Sequence, residues 1–215
     1  MAELLVIRHA QASFGADNYD QLSDLGYRQG ALLGALLRDR GWVPDRCVIG
    51  ALKRQRQTLD AMEFDSPETQ PGFDEYNFHD LLSHRFDGAL PTEVMQDRKT
   101  HFRTLRETLR LWQQDRLEGV AETWSTFSSR VADALAMATR PGADRVLVVS
   151  SGGPIGWMVA ATLAAPEEMM IALNLQVKNT SMTRFIFNDR VRYLHEFNAT
   201  PHLDTPEHAA KITYS

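Results

Sequence analysis

Three times along this 215-residue chain a short apolar run of strand type is followed directly by a helical pattern. "LLVIRH" (residues 4–9) precedes "SDLGYRQGALLGALLRDRG" (23–41), a helix opened by a Ser23 or Asp24 cap and closed by Gly41. "RCVIGA" (46–51) precedes "LKRQRQTLDAM" (52–62), and "DRVLVVSS" (144–151) precedes "PIGWMVAATL" (154–163), with Pro154 in the first helical turn. Repeated strand-then-helix units build a largely parallel sheet covered by helices. Near the end, "SMTRFIFNDRVRYLHEF" (181–197) holds two β-rich runs around Asn188-Asp189, a hairpin that brings antiparallel pairing to one edge. Between about Asp97 and Arg140, Phe102, Leu105, Leu109 and Trp112, then Phe127, Val131 and Leu135, recur at helical spacing with no strand among them. The expected fold is α/β: a three-layer α/β/α sandwich whose mostly parallel sheet has an antiparallel edge strand, with a helical insertion over about residues 76–140. No Pro/Gly/Ser-rich linker or repeat divides the chain, so one domain is expected over residues 1–215.

A formal net charge of -5 at pH 7, with signs scattered, leaves no basic face for a nucleic acid backbone. The expected partner is a small molecule or a protein. No apolar run reaches the ~18 residues of a membrane span. The lone Cys47 has no partner for an intramolecular disulfide, and "MAELLVIRHA" is broken too early by Arg8 to read as a secretory signal. A cytoplasmic protein is expected.

In open α/β sheets ligands bind beyond the carboxyl ends of the strands. The first strand ends at Arg8-His9, the second runs into Lys53-Arg54 at a helix start, and the third ends at Ser150-Ser151-Gly152-Gly153. Two guanidiniums, an imidazole and a helix N-terminus make an oxyanion site suited to phosphate, because arginine presents its donors as a bidentate fork.

"IRHAQASF" and "LKRQRQT", in that order and one strand-helix unit apart, carry a resemblance to the histidine phosphatase superfamily, the phosphoglycerate-mutase-like enzymes. That family opens on a strand ending in Arg-His-Gly and carries a second Arg in a Leu-x-Arg-x-x-Gln-Thr segment. An acidic residue stands at the start of its inserted region, and a second His follows in a Ser-His-Gly-Gly pattern. The resemblance runs from "LLVIRHAQ" to "NTSMTRF" and "LHEFNATPHL". It implies that His9 is the nucleophile that accepts the phosphoryl group, that Arg8 and Arg54 bind its oxygens, and that Glu75 in "GFDEYNFHD" serves as acid and then base, with Asp74 and Asp80 as rivals. It implies a small phosphorylated substrate or a phosphoprotein as partner, and neither metal nor cofactor.

The chain departs from the pattern in three places. Ser151 stands where the family has its second His, Ala10 where it has Gly, and Gly15 where many members have a phosphate-touching Asn. Ser151 keeps one hydroxyl donor and Gly152 lets backbone N–H groups approach an anion, so both are expected to bind substrate. Three readings stand open: a phosphomonoester hydrolase working through phosphohistidine at His9, a phosphate-binding member weakened by the loss of the second His, and a phosphoglycerate mutase. His79 and His84, just after Glu75, are candidates to supply the missing imidazole, whereas Ser150 and Ser151 also read as plain helix caps. The other histidines, His101, His195, His202 and His208, show no metal-ligand spacing.

Overall fold

The computed structural model describes residues 1–13 and 20–214. Gly15 therefore lies outside the described residues. In chain order the elements are β1 (Ala2–Arg8), α1 (Asp24–Asp39), β2 (Arg46–Ile49), α2 (Lys53–Ala61), β3 (Glu68–Thr69), α3 (Phe78–Arg85), α4 (Thr92–Gln96), α5 (Arg98–Gln113), α6 (Trp124–Ala138), β4 (Arg145–Ser150), α7 (Gly152–Thr162), α8 (Met169–Asn174), β5 (Met182–Phe187) and β6 (Arg192–Ala199). The strands form one sheet in the order β3-β2-β4-β1-β5-β6. β3, β2, β4 and β1 run parallel, and β5 runs against both β1 and β6, so the antiparallel pairing sits at one side of the sheet as the hairpin pattern implied. Asn188 makes that hairpin turn, its side-chain oxygen accepting from the N–H groups of Arg190 and Val191.

The central strands are apolar on both faces, as parallel strands between helical layers must be. Leu4 and Val6 of β1, Val48 of β2, and Val146 and Val148 of β4 join the core shared with α5, α6 and α7. Leu5, Ile7, Ile49, Leu147 and Val149 alternate to the other face, where Leu33 and Leu37 of α1 and Leu59 of α2 cover them. The result is the three-layer sandwich. The two helices on that second face approach closely at Gly34, where a Cβ would lie 2.2 Å from the Met62 carbonyl oxygen. Ser23 is the α1 cap, accepting from Gly26 N at 3.0 Å, and Gly41 takes the left-handed conformation (φ 62°) after the helix.

The inserted helices bury their apolar stripes on the first face. Phe127 is fully buried and packs against Tyr76, Trp112 and Trp124 at ring-centroid distances of 6.0, 5.2 and 5.6 Å. Two elements had no sequence signal. β3 is two exposed residues, too short for any alternation to register, and α8 is six residues introduced by a turn at Pro166. Among the described residues no helix is long and apolar enough to cross a membrane.

Two measurements test this packing. Phe127→Ala deletes the centre of an aromatic cluster, and chemical denaturation should show a loss of about 3–5 kcal/mol with an unchanged m-value. His202 is buried with Nε2 2.9 Å from Thr180 Oγ1, and burial, against the opposing pull of Asp204, lowers its pKa to about 4. Because the unfolded chain takes up that proton near pH 6.5 and the folded chain does not until about pH 4, the contribution is fully present above pH 6.5 and is lost as pH falls through this window. Unfolding free energy should drop by up to roughly 3 kcal/mol from this group on going from pH 7 to pH 4, and His202→Gln should flatten that part of the curve.

Candidate active site

The site is assembled by the parallel ladder. Arg8 of β1 lies opposite Ser150 of β4, and the His9 N–H continues the ladder by donating to the Ser150 carbonyl at 2.8 Å. On the other side of β4, the Gly50 N–H donates to Val149 O where β2 ends. Three adjacent strands thus finish at one level, and the residues that follow them, His9, Ser151 and Arg54, come to the same edge.

His9 is buried, and its bonds define its tautomer. Nδ1 lies 2.8 Å from the Ala10 carbonyl, which only accepts, so Nδ1 carries the proton. Nε2 takes the N–H of Arg54 Nε at 3.2 Å and is the unprotonated nitrogen. Burial, reinforced by Arg54 and Arg8, holds the imidazole well below its usual pKa of 6.5, against the opposing pull of the Ala10 carbonyl. Arg54 is itself buried, and its Nη1 pairs with Asp20 Oδ1 at 2.9 Å. The Asp20 carboxylate also accepts from the backbone N–H groups of Lys53 and Arg54, fastening the start of α2. Arg8 sends Nη1 to the carbonyls of Val177 and Tyr214, the latter at 2.8 Å.

The rest of the Leu-x-Arg-x-x-Gln-Thr segment holds the chain after β1. Thr58 Oγ1 accepts from Ala10 N at 2.9 Å and donates to Arg54 O at 2.7 Å, while Gln57 Oε1 accepts from Leu22 N at 2.9 Å. Asn179, fully buried before β5, donates from Nδ2 to the His9 carbonyl at 3.1 Å.

Glu75 follows a short 3-10 turn (Pro71–Phe73) and meets the start of α7, accepting from Gly153 N at 3.0 and 3.1 Å on its two oxygens. Burial raises its pKa, although the Gly153 N–H, Arg54 and Arg8 all pull it down. The contact demands glycine, because a Cβ on Gly153 would lie 2.2 Å from Glu75 Oε1. Gly152 is equally constrained by Asn174 Oδ1, 2.3 Å from where its Cβ would sit, and Asn174 in turn donates to the Tyr76 hydroxyl at 2.8 Å. The rival carboxylates are occupied elsewhere. Asp74 Oδ1 accepts from Ala51 N and Leu52 N, and Asp80 accepts from Ala121 N and pairs with His84.

Ser151 is fully buried at the N-cap of α7, but its hydroxyl makes no capping bond; instead it accepts from Gln55 Nε2 at 3.0 Å. Ser150 does not cap either and donates to Phe73 O at 2.9 Å. The structure thus brings His9, Arg54, Ser151, Gly152 and Glu75 to one edge, with Arg8 close enough to act on both His9 and Glu75. His79 and His84 face other partners: the His79 ring lies tilted against Phe78 with centroids 4.0 Å apart, and His84 Nδ1 lies 2.9 Å from the Asp80 carbonyl. Among the described residues no group of three or more His, Cys, Asp or Glu side chains could hold a metal ion. Asp20, Gln55, Thr58 and Asn179 were not anticipated. Thr58 lay inside a segment already singled out, and the buried polar run Asn179-Thr180-Ser181 ahead of a strand was the signal for Asn179.

The family model described as the histidine phosphatase superfamily (branch 1) matches residues 4–200. No curated protein sequence matches the chain. Among solved structures it is similar to the phosphoserine phosphatase of Entamoeba histolytica in complex with 3-phosphoglyceric acid (TM-score 0.67, 20% identity, covering 94% of this chain and 100% of that one). It is also similar to the alpha-ribazole phosphatase of Shigella flexneri (0.65, 19%, 92% and 96%). A third is a mycobacterial glucosyl-3-phosphoglycerate phosphatase with inorganic phosphate (0.65, 21%, 95% and 100%). At these identities the structural likeness is one of fold. With a match spanning residues 4–200 on top of that fold, the chain belongs to the histidine phosphatase superfamily, branch 1.

Proposed function

We propose that this chain is a phosphomonoester hydrolase working through a phosphohistidine on His9. The observation that carries the reading is the buried imidazole whose proton sits on Nδ1, against the Ala10 carbonyl, leaving the Nε2 lone pair 3.2 Å from the Arg54 guanidinium. A group held neutral among cations becomes a nucleophile at neutral pH once the Arg54 N–H that its Nε2 accepts turns to a phosphoryl oxygen, and the same cations stabilise the charge on a phosphoryl group in transfer.

In the first step Nε2 attacks phosphorus and the P–O ester bond breaks. The leaving oxygen takes a proton from Glu75, whose raised pKa favours the acid form. In the second step water attacks the phosphohistidine and gives its proton to the Glu75 carboxylate. The N–P bond breaks, its electron pair returns to Nε2, and inorganic phosphate leaves. Arg8, Arg54, Ser151 and the Gly152 backbone bind the phosphoryl oxygens. The substrate is a small phosphorylated compound or a phosphoprotein; members of this fold include phosphatases named for phosphoserine, alpha-ribazole and glucosyl-3-phosphoglycerate. Ser151, a neutral hydroxyl where the family places its second His, favours a slow hydrolase over a mutase, which must hold and return a second phosphate-bearing group. A mutase assay with and without a bisphosphate primer separates those two.

Two experiments test the mechanism. His9→Ala should abolish hydrolysis of a generic phosphomonoester, and acid-labile, base-stable phosphate should be trapped on the wild-type protein alone; label on a serine, or full activity in His9→Ala, defeats the assignment. The pH profile follows from the opposite shifts of the two groups. Burial keeps His9 neutral well below pH 6.5 and raises Glu75 above 4.5, so kcat/KM should fall as rising pH strips Glu75, on a limb displaced above the ordinary carboxylate range. Glu75→Gln should lose about 10²- to 10⁴-fold in rate and lose that alkaline limb with it.

A further inference from the structure

Gln55 is a fully buried residue in the first turn of α2, next to Arg54, and nothing in the chemistry above uses it. Its Nε2 lies 3.0 Å from both the Phe73 carbonyl and Ser151 Oγ. A carbonyl oxygen only accepts, so the nitrogen must face Phe73, and that choice orients the whole amide. Both of its N–H bonds are then assigned, one to Phe73 O and one to Ser151 Oγ. Ser151 Oγ is the acceptor in the second bond and keeps its own proton for another partner. Among the described residues no acceptor takes that proton.

The polarity of Gln55 is not accounted for by packing. Its Oε1 is buried with no hydrogen-bond partner in the structure, an arrangement that costs stability and that Leu or Met at this position would avoid. The neighbouring backbone makes room for it: a Cβ on Gly50 would lie 2.0 Å from Gln55 Oε1. Ser151, for its part, gives up the capping bond that a serine at a helix N-cap normally makes. Each residue forgoes an ordinary local interaction, and what both retain is the bond between them.

We propose that Gln55 is a positioning residue that makes the Ser151 hydroxyl a one-way donor, its proton reserved for an oxygen of the phosphoryl group bound between Arg54 and His9. This rests on the phosphate-site reading given above and adds a residue to it. A serine hydroxyl left to rotate would spend part of its time as an acceptor, turned against an anion; the Gln55 N–H occupies one of its two lone pairs, excludes the rotamer with the proton toward Gln55, and so biases the hydroxyl toward donating to the anion.

The test is a double-mutant cycle with Gln55→Met, which fills the volume without an N–H, Ser151→Ala, and the two together. The dissociation constant for inorganic phosphate is read by calorimetry, and kcat and KM on a generic phosphomonoester are read after active-fraction titration. Thermal melts establish that each variant is folded. Each single change should weaken phosphate binding by about threefold to tenfold, the range of one hydrogen bond, and lower kcat/KM in step. The double variant should bind no more weakly than Ser151→Ala alone, because Gln55 has nothing to act on once the hydroxyl is gone. A purely structural glutamine would lower the melting temperature in both backgrounds and multiply the binding losses. Multiplied losses, or wild-type phosphate affinity in Gln55→Met, overturn the proposal. A wild-type protein that binds no phosphate overturns it together with the site reading. Coupled phosphate binding in a protein that hydrolyses no phosphomonoester leaves Gln55 in its role and sinks the hydrolase.

Discussion

The bond from the His9 N–H to the Ser150 carbonyl, 2.8 Å long, closes the β1–β4 ladder, and everything chemical in this molecule depends on where that ladder closes. Residues 4–7 of β1 are all buried, so alternation of apolar and polar faces, the usual guard of register, is absent here. Polar anchors at both ends do the work instead. Glu3 N meets Asp144 O at 2.7 Å at the start of the strand, and Arg8 N meets Ser181 O at 3.2 Å at its finish. A slip of one residue would break these bonds and carry His9 away from both Arg54 and Ser151. The site is thus as well placed as the sheet is well registered, and Thr58, through Ala10 N, and Asn179, through His9 O, extend that registration one residue beyond the strand.

The second constraint is electrostatic. A buried imidazole beside two guanidiniums gains nothing from a proton, and a buried carboxyl gains from keeping one, so His9 and Glu75 are pushed toward neutrality by the same low-dielectric surroundings. The positive charge is then carried by the guanidiniums of Arg8 and Arg54. Arg54 is held at two points, by Asp20 on Nη1 and by His9 on Nε, and this presets the orientation of a side chain with many rotamers. Glu75 occupies the Gly153 N–H at the start of α7, so in the proposed mechanism the helix terminus would serve the acid-base residue and anion binding would fall more heavily on the arginines and Ser151.

Much of this was legible because the informative residues are local. The three strand-helix units, the Ser23 cap, Gly41 and the turn at Asn188 each declare themselves within a few positions, and Arg8-His9 and Arg54 stand directly at the ends and starts of such units. Glu75 was harder to single out, since Asp74 and Asp80 share its neighbourhood and all three accept backbone N–H groups; only the fold shows that Glu75 accepts its own from Gly153, two residues from Ser151. Asp20, Gln55 and Asn179 act across 34, 96 and 170 positions of chain, and no periodicity or cap rule reaches that far. α8 and β3 are shorter than the windows in which a period can be counted.

The departure at Ser151 takes a different meaning once Gln55 is beside it. Read along the sequence, a serine in place of a histidine is a loss of one imidazole at one position. In the fold, the volume beside the hydroxyl is taken by the Gln55 amide, 3.0 Å away, and both residues are fully buried. An imidazole at position 151 would need that space, and forcing extra atoms into a closed interior strains rotamers and backbone alike. Gln55, for its part, would be left with an unpaired N–H if Ser151 were simply removed. The two residues therefore act as one unit in physical terms: a small hydroxyl and the amide that lies against it. A neutral donor held in this way does not change its charge with pH, so in the proposed mechanism the acid-base behaviour is left to His9 and Glu75.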